Sequence, residues 1–271
     1  MDDVQIPARE IRAWAQGTQV VKRVTQILEA ISTSAGHALR TVEIVERTGL
    51  TRSTVHRLLT TLQELGYLDR DESTTRWYLG PELHILGTVA AQRYAVSSVA
   101  RRIVAELAAS TGETALLSMR RADEVVYLVR TEGNFPLRSS VLQEGVRLPL
   151  GVSAGGLALL AYQKDEFIHR YLQELDLESK WGPQYTAASI FDRVRRTREM
   201  GYAINPGVDV KGSFGMAAAA VATGEPTRFA LTITGVESRF KPERQRELGK
   251  VLLSFAHKLA QIAATTRGGA I

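Results

Sequence analysis

The sequence predicts an α+β protein with a small helical N-terminal domain, a connecting helix and a larger C-terminal domain of mixed helices and strands. Three observations lead to this prediction. Helical periodicity dominates about the first 65 residues, and a short hairpin pattern follows it. Beyond about residue 95 the apolar positions change between the helix period and the strand period. This mixed part of about 170 residues is expected to form one antiparallel sheet with helices packed on it.

Three helices are predicted in the N-terminal domain. The first covers 18–31, where the apolar residues follow helical spacing along one side. The second covers 41–47, with Thr41 as its N-cap and Gly49 as its stop signal. The third covers 51–65 and carries one apolar stripe. Because only a short turn around Gly49 separates the last two helices, their spacing is that of a helix-turn-helix.

A two-stranded hairpin, of the kind called a wing, is predicted next. Its strands cover 67–70 and 75–79 on either side of a polar turn. Pro81 then opens a helix that extends to about Tyr94 and suits a linker between domains. The predicted organisation is an N-terminal arm, a winged helix-turn-helix domain, a linker helix, a C-terminal domain and a tail, over residues 1–17, 18–80, 81–96, 97–265 and 266–271.

The C-terminal domain shows no repeated strand-helix-strand order. Its predicted helices cover 97–110, 154–162, 189–200 and 242–264. Its predicted strands cover 114–119, 125–130, 202–205, 214–221 and 228–234. One of the helices carries four arginines, and a solvent-exposed charged face is the preferred interpretation of them over a nucleic-acid contact. These are Arg193, Arg195, Arg196 and Arg198.

The composition excludes several classes of protein. The chain has no cysteine, which excludes a disulfide framework, an iron-sulfur cluster and a Cys-ligated zinc site. Its start does not resemble a signal peptide, and no apolar run approaches the roughly 18 residues of a membrane span. A cytoplasmic protein without a membrane partner is therefore expected. The five histidines show no metal-binding spacing, so no metal site and no cofactor are predicted.

The net charge of +5 does not locate a nucleic-acid site. Residues 1–96 hold 11 Lys and Arg against 11 Asp and Glu, so the whole excess lies in the C-terminal part. A smaller feature is more informative. Between Arg47 and Gln63 there is no acidic residue, yet three arginines and one histidine occur there. The neutral half of the chain thus carries a local basic strip on its third helix.

This strip is the candidate DNA reader. Ser53, Arg57 and Thr60 lie opposite the apolar stripe of the third helix, and such a face can enter the major groove. There, arginine reads guanine edges, while wing arginines can hold the backbone. The predicted DNA-binding residues are Arg52, Ser53, Thr54, His56, Arg57, Thr60, Arg70 and Arg76. The alternative reading of the same pattern is a solvated amphipathic helix in a small helical domain.

Five segments between residues 18 and 265 carry a resemblance in both order and spacing. They are EIVERTGLTRSTVHRLLTTLQELGYLDRD, RWYLGPELHILG, EGVRLPLGVSAGGLALLAY, MGYAINPGVDVKGSFGMAAAAV and RFALTITG. Together they resemble the IclR family of bacterial transcription regulators. The resemblance implies binding to double-stranded operator DNA, dimers formed through the N-terminal domain and linker helix, and pairing of dimers into tetramers. It also implies a GAF-like C-terminal domain that binds a small organic acid.

By matching motif positions, the resemblance implies the effector contacts of the C-terminal domain. They are the backbone of Ala154 and Gly155, together with Asn205, Gly215, Thr232 and Thr234. The physics of these positions agrees with such a role. Backbone N–H groups at the start of a helix favour an anion, and hydroxyls at alternate positions of a strand face the same side.

Two positions depart from the pattern of the family. Asn205 stands where an acidic residue is common, and Gly215 stands where cysteine is common. A missing side chain enlarges the cavity, and a missing carboxylate removes repulsion against an anion. These departures predict an effector larger than a two- or three-carbon acid, such as an aromatic acid or related amide. Alternatively, Gly215 marks only a strand bulge and Asn205 only a turn.

The segment GVSAG raises one enzymatic alternative. It matches the G-x-S-x-G nucleophile elbow of hydrolases, with Ser153 as the nucleophile, Asp192 or Asp209 as the acid and His257 as the base. The domain is short for that fold, no HGGG-type loop is present, and His257 is predicted to face solvent. The sequence therefore favours a non-enzymatic regulator, with repression relieved by a ligand as the preferred mode.

Overall fold

The computed structural model describes residues 18–94, 98–136, 142–207, 211–222 and 226–265. By their internal contacts these residues form two compact units, which adjoin in the sequence between Arg93 and Tyr94. The predicted arm over 1–17, the predicted tail over 266–271 and the last two residues of the predicted linker lie outside the described residues.

The N-terminal unit contains four helices and a small three-stranded sheet among its described residues. In chain order the elements are α1 (Gln19–Ser32), β1 (Ala38–Arg40), α2 (Thr41–Thr48), α3 (Arg52–Glu64), β2 (Leu68–Arg70), β3 (Arg76–Leu79) and α4 (Pro81–Tyr94). The sheet is antiparallel with β3 in its centre. Its core joins the apolar stripes of the first three helices to Leu68 and Trp77 from the sheet.

Two local features of this unit differ from the sequence prediction. Thr41 is not the N-cap of α2, because its hydroxyl accepts a hydrogen bond from the Trp77 indole at 3.0 Å. The N-cap is Arg40, whose amide donates to the Glu43 carboxylate at 2.6 Å. Strand β1 was not predicted, since its three residues become a strand only by pairing with β3. The positive φ of 65° at Gly49 ends α2 as expected.

The C-terminal unit is built on a six-stranded antiparallel sheet. Its helices are α5 (Ser98–Thr111), α6 (Ala154–Ala161), α7 (Asp165–Glu174), α8 (Leu177–Trp181), α9 (Ala187–Met200) and α10 (Pro242–Thr265). Its strands are β4 (Thr114–Arg121), β5 (Glu124–Thr131), β6 (Arg147–Pro149), β7 (Ala203–Asn205), β8 (Ser213–Ala220) and β9 (Phe229–Val236). The strand order is β6-β5-β4-β9-β8-β7. The α+β prediction is confirmed, whereas β6, α7 and α8 were not predicted.

The two faces of this sheet are covered by different helices. Helices α6 and α9 pack on one face, and α5 and α10 pack on the other. Because side chains alternate along a strand, Leu231 and Ile233 of β9 face α5 and α10. The intervening Thr232 and its neighbour Thr234 therefore face α6. No helix in the described part of the chain is long and apolar enough to cross a membrane.

Candidate functional site

Helix α3 presents one apolar face to the core and one polar face to solvent. Its buried residues are Val55, Leu58, Leu59 and Leu62. Five of the predicted DNA-binding residues are exposed on the same helix, namely Arg52, Ser53, His56, Arg57 and Thr60. The helical period alone produces this separation, which the sequence predicted. The arrangement offers two guanidinium groups, one imidazole and two hydroxyls on one exposed face of the helix.

Thr54 differs from those five because it takes part in capping the helix. Thr51 is the N-cap, and its hydroxyl accepts from the Thr54 amide at 3.4 Å. The Thr51 hydroxyl also donates to the Thr54 hydroxyl at 2.9 Å. The half-buried Thr54 side chain is therefore engaged within its own chain.

The two wing arginines have different surroundings. Arg70 is exposed, and its guanidinium lies 5.5 Å from the centre of the Trp77 ring. Arg76 is half-buried, pairs with Glu43 at 3.5 Å and donates to the Ala38 carbonyl at 3.2 Å. The guanidinium of Arg76 is therefore held against β1 and α2, whereas that of Arg70 is the more accessible to another molecule.

The wing turn is ordered by a carboxylate. Asp71 accepts hydrogen bonds from the Ser73 hydroxyl at 2.6 Å and from the Thr74 amide at 2.8 Å. The hydrogen bond from Ser73 makes the larger contribution. Both bonds favour the charged form of Asp71 and so lower its pKa to about 2. The carboxylate is therefore charged, and can accept both hydrogen bonds, at pH values well above 2.

The second candidate site lies where α6 begins, over the face of the C-terminal sheet. Ser153 is the N-cap, and its hydroxyl accepts from the Gly156 amide at 3.2 Å and from the Tyr127 hydroxyl at 2.9 Å. The Leu157 amide donates to the Ser153 carbonyl. Since the first four amides of a helix have no partner within it, the buried amides of Ala154 and Gly155 depend on another group. They form a donor pair of the kind that binds carboxylates.

The sheet brings the other predicted effector residues beneath this helix start. Asn205, Gly215 and Thr234 are directly opposite one another on three neighbouring strands. Thr232 lies two residues before Thr234 on the same face. A Cβ placed on Gly215 would lie 3.4 Å from the Ala154 Cβ, so this row passes under α6. All six residues that the resemblance implied are thus gathered at one place.

Gly155 shows how closely α6 approaches the sheet. A Cβ on Gly155 would lie 2.8 Å from the Thr232 hydroxyl, 3.0 Å from the Ser118 hydroxyl and 3.1 Å from the Tyr127 hydroxyl. Only glycine allows the helix to rest on these three hydroxyls. Ser118 and Tyr127 were missed by the sequence reasoning. No alternation along β4 marks Ser118, because the three residues from Ala115 to Leu117 are all apolar. Its place beneath α6 follows only from the pairing of β4 with β9.

Asn205 is held by a network rather than left at a turn. Its amide nitrogen donates to the Val152 carbonyl at 3.1 Å, and its amide oxygen accepts from Arg193 at 3.2 Å. The Arg193 guanidinium also lies over the Tyr185 ring, 5.6 Å from its centre. The inward position of Arg193 corrects the expectation that it belongs to a solvent-exposed face.

The other three arginines of α9 follow two patterns. Arg195 and Arg196 are exposed and pair with Asp192 at 2.6 and 2.7 Å, as a solvated charged face should. Arg198 pairs with Asp165 at 2.8 Å and donates to the Ala161 carbonyl at the end of α6. Since the last carbonyls of a helix lack partners, Arg198 completes hydrogen bonding there.

The residues of the hydrolase alternative are not brought together. Ser153 is buried under α6, whereas His257 lies on α10, which packs on the opposite face of the sheet. Asp192 pairs with arginines at the surface, and Asp209 lies outside the described residues. Among the residues that the structure describes, no group of His, Asp and Glu is arranged to hold a metal ion.

Replacing Ser153 with alanine is expected to destabilise the C-terminal unit by about 1 kcal/mol, because the α6 cap is lost. Urea unfolding of the two proteins measures this difference. The replacement is expected to change no hydrolytic activity. An esterase activity of the wild-type protein that disappears in S153A would contradict the non-enzymatic interpretation of Ser153.

Comparisons with known proteins find relatives for both parts of the chain. Residues 88–261 match the family described as "Bacterial transcriptional regulator IclR C-terminal", and residues 20–72 match "IclR helix-turn-helix domain". The chain is 28% identical to the regulator BhcR of Paracoccus denitrificans over 90% of this chain and 87% of that protein. It is 26% identical to the transcriptional repressor IclR of Escherichia coli over 94% of this chain and 96% of that protein.

A solved structure shares the fold. The crystal structure of an IclR homolog from Microbacterium hydrocarbonoxydans, complexed with 4-hydroxybenzoate, superposes with a TM-score of 0.71 at 21% identity. The superposition covers 90% of this chain and 99% of that one. The relatives named here are transcriptional regulators, and neither matched family is a family of enzymes. The matched families together cover most of the chain, which therefore belongs to the IclR family of bacterial DNA-binding transcriptional regulators.

Proposed function

We propose that this regulator binds a pseudo-palindromic operator as a dimer and that a small organic acid bound in the C-terminal unit releases it. The observation that carries the proposal is the exposed polar face of α3. Arg52, His56 and Arg57 occupy it without any acidic residue between Arg47 and Gln63. From Arg52 to Gln63 the negative potential of DNA therefore meets no carboxylate on this face, and the exposed Glu64 follows only at the end of the helix. This function places the protein in the cytoplasm, where the operator is accessible.

Dimerisation is supported by apolar residues that remain exposed in the N-terminal unit. On α1 and α4 these are Val20, Val21, Ile85, Leu86 and Val89, each about half exposed or more. We assign a second copy of the chain as the partner that covers them, because an operator with two half-sites requires two recognition helices. Pairing of such dimers into a tetramer belongs to the same proposal.

The effector is proposed to be an aromatic acid or a related amide. The amides of Ala154 and Gly155 suit a carboxylate, and the missing side chain at Gly215 leaves the space of about one carbon atom beside Ala154. The homolog that binds 4-hydroxybenzoate supports an aromatic ligand for this fold. Calorimetric titration tests the class of ligand. Tight binding of glyoxylate or pyruvate without binding of benzoate-sized acids would contradict it.

The ligand must distinguish between two arrangements of the dimer to act on DNA. A ligand with equal affinity for both arrangements does not change the equilibrium between them, however tightly it binds. Helix α4 connects the two units along the chain and is proposed to transmit the difference. A gel shift with the DNA upstream of the protein's own gene, with and without acid, tests the whole proposal. Absence of any shift would favour a winged helix that contacts protein instead.

Replacing both Thr232 and Thr234 with valine is expected to abolish the response to the acid and to leave DNA binding intact. The two changes remove two hydroxyls from beneath α6 at nearly constant volume. Each lost hydrogen bond to the ligand should weaken acid binding by about tenfold. Titration of the operator complex with acid measures the effect. Ser110→Ala is the control, since the Ser110 hydroxyl donates to the Leu107 carbonyl of its own helix.

A further inference from the structure

Three buried polar atoms surround one leucine of the central sheet. They are Oγ1 of Thr114, Oγ1 of Thr232 and Nε of Arg130, and none has a hydrogen-bond partner within the described part of the chain. The leucine is Leu116, which is fully buried. Of the three polar residues only Thr232 belongs to the site described above. Thr114 and Arg130 have no function there so far.

The strand register places these atoms on the face that α6 covers. Thr232 and Arg130 are directly opposite Leu116, one on each neighbouring strand. Thr114 lies two residues before Leu116 on β4 and directly opposite Thr234. Residues two apart on a strand, and residues opposite one another, share a face. Leu116 packs in the cluster that contains α6, so Thr114 and Arg130 face α6 as well.

A buried hydroxyl or N–H without a hydrogen-bond partner destabilises the folded state, because it loses its bonds to water and gains none in return. Folded proteins therefore rarely keep several of them together unless another molecule satisfies them. Thr114 and Thr232 are 2% and 0% exposed, so their hydroxyls are removed from bulk solvent. Two unsatisfied hydroxyls and one N–H thus lie around one apolar side chain. Such a surface suits a ligand that carries a polar group on an apolar body.

The chemistry of the three groups limits what that polar group is. The Nε–H of Arg130 can only donate, whereas the hydroxyls can donate or accept. An oxygen atom satisfies all three, and Leu116 supplies the apolar contact beside it. Arg130 already donates through Nη1 to Glu132 at 2.8 Å, so its guanidinium is held in place while the Nε edge faces inward.

We propose that Thr114 and Arg130 form a second subsite of the effector pocket, and that the effector is an acid with a second oxygen function across an apolar body. The inference rests on the proposed function. The amides of Ala154 and Gly155 take the carboxylate, and the subsite around Leu116 takes a hydroxyl, carbonyl or second carboxyl group. Neighbouring strands are about 4.8 Å apart, so a substituted benzene ring is long enough to reach from β9 towards β5.

Calorimetric titration of the full chain with four acids tests the proposal. The acids are benzoate, 3-hydroxybenzoate, 4-hydroxybenzoate and benzene-1,4-dicarboxylate. The wild-type protein is expected to bind at least one of the three substituted acids at least tenfold more tightly than benzoate. Thr114→Val and Arg130→Lys should each reduce that preference to about threefold or less, with little change for benzoate. Thr114→Ser, which keeps the hydroxyl, should retain the preference. Ser110→Ala, which removes a hydroxyl that donates to the Leu107 carbonyl of its own helix, should behave as wild type.

Each outcome decides the question. If the wild-type protein prefers no substituted acid over benzoate, or if T114V and R130K retain the preference, the second subsite is overturned while the proposed regulator stands. If T114V only raises the melting temperature and leaves all affinities unchanged, the Thr114 hydroxyl is an unsatisfied group of the core that no ligand contacts, and the subsite is again overturned. If no acid binds while the operator still does, the effector part of the proposed function falls together with this inference. A melting curve of each variant verifies that it is folded.

Discussion

Replacing Arg57 with alanine is expected to weaken operator binding by about a hundredfold or more and to leave acid binding unchanged. Arg57 is exposed in the middle of α3, opposite the buried residues of that helix. A bidentate contact between arginine and guanine contributes about 1–3 kcal/mol of discrimination. In a dimer the contact occurs twice, so its loss is doubled. Fluorescence anisotropy with a labelled operator at fixed salt measures the change.

Two controls separate base reading from bulk charge in that experiment. Lys22→Ala removes an exposed positive charge from α1 and should alter operator affinity only slightly. A salt series supplies the second control. Each phosphate contact contributes about −0.9 to the slope of log affinity against log salt, whereas a base contact leaves the slope nearly unchanged. Operator binding by R57A equal to that of the wild type would remove Arg57 from the DNA reader.

The recognition helix was predictable because its signals are local. Thr51 caps α3, the apolar residues repeat at helical spacing, and a positive φ of 74° at Gly66 follows its end. The N-cap of α2 was not predictable in the same way. The indole of Trp77 donates a hydrogen bond to the Thr41 hydroxyl, although the two residues are 36 positions apart in the sequence. Contacts between distant segments therefore override a correct local preference.

The residues of the ligand site also differ in whether local sequence signals predict their positions. Alternation along one strand is local, so the common orientation of Thr232 and Thr234 followed from the sequence. The position of Thr114 depends on the order β5-β4-β9, which no local pattern supplies. Likewise Arg193 is only two positions from the exposed Arg195, yet it turns towards Asn205 because β7 lies beside it in the fold. The chemical character of these residues can be read from the sequence. Their positions in the site, in contrast, depend on how the strands pair.

Replacing Glu113 with alanine is expected to lower the free energy of unfolding of the C-terminal unit by about 3 kcal/mol, the largest stability effect predicted here. The Glu113 side chain is 1% exposed and accepts from Arg239 at 2.7 Å and from Arg244 at 2.8 Å. Arg244 also donates to the Thr111 carbonyl at 3.0 Å. This cluster joins the end of α5 to the start of β4 and to the start of α10. Without the carboxylate, two half-buried guanidinium groups would lose their shared partner.

The same replacement should also weaken acid binding, because the cluster holds the ends of the strands that carry the ligand site. Glu113 directly precedes Thr114, and its carboxylate packs against Gly235, which directly follows Thr234. Glu113→Gln keeps the shape but not the charge and should lose less stability than E113A. Urea unfolding measures both variants, and Glu106→Ala on the exposed side of α5 is the matched control. If E113A unfolds like the control yet binds acid weakly, Glu113 acts on the ligand and not on the strands. If both properties fall together and E113Q recovers part of each, the carboxylate positions Thr114 and Thr234 through the fold.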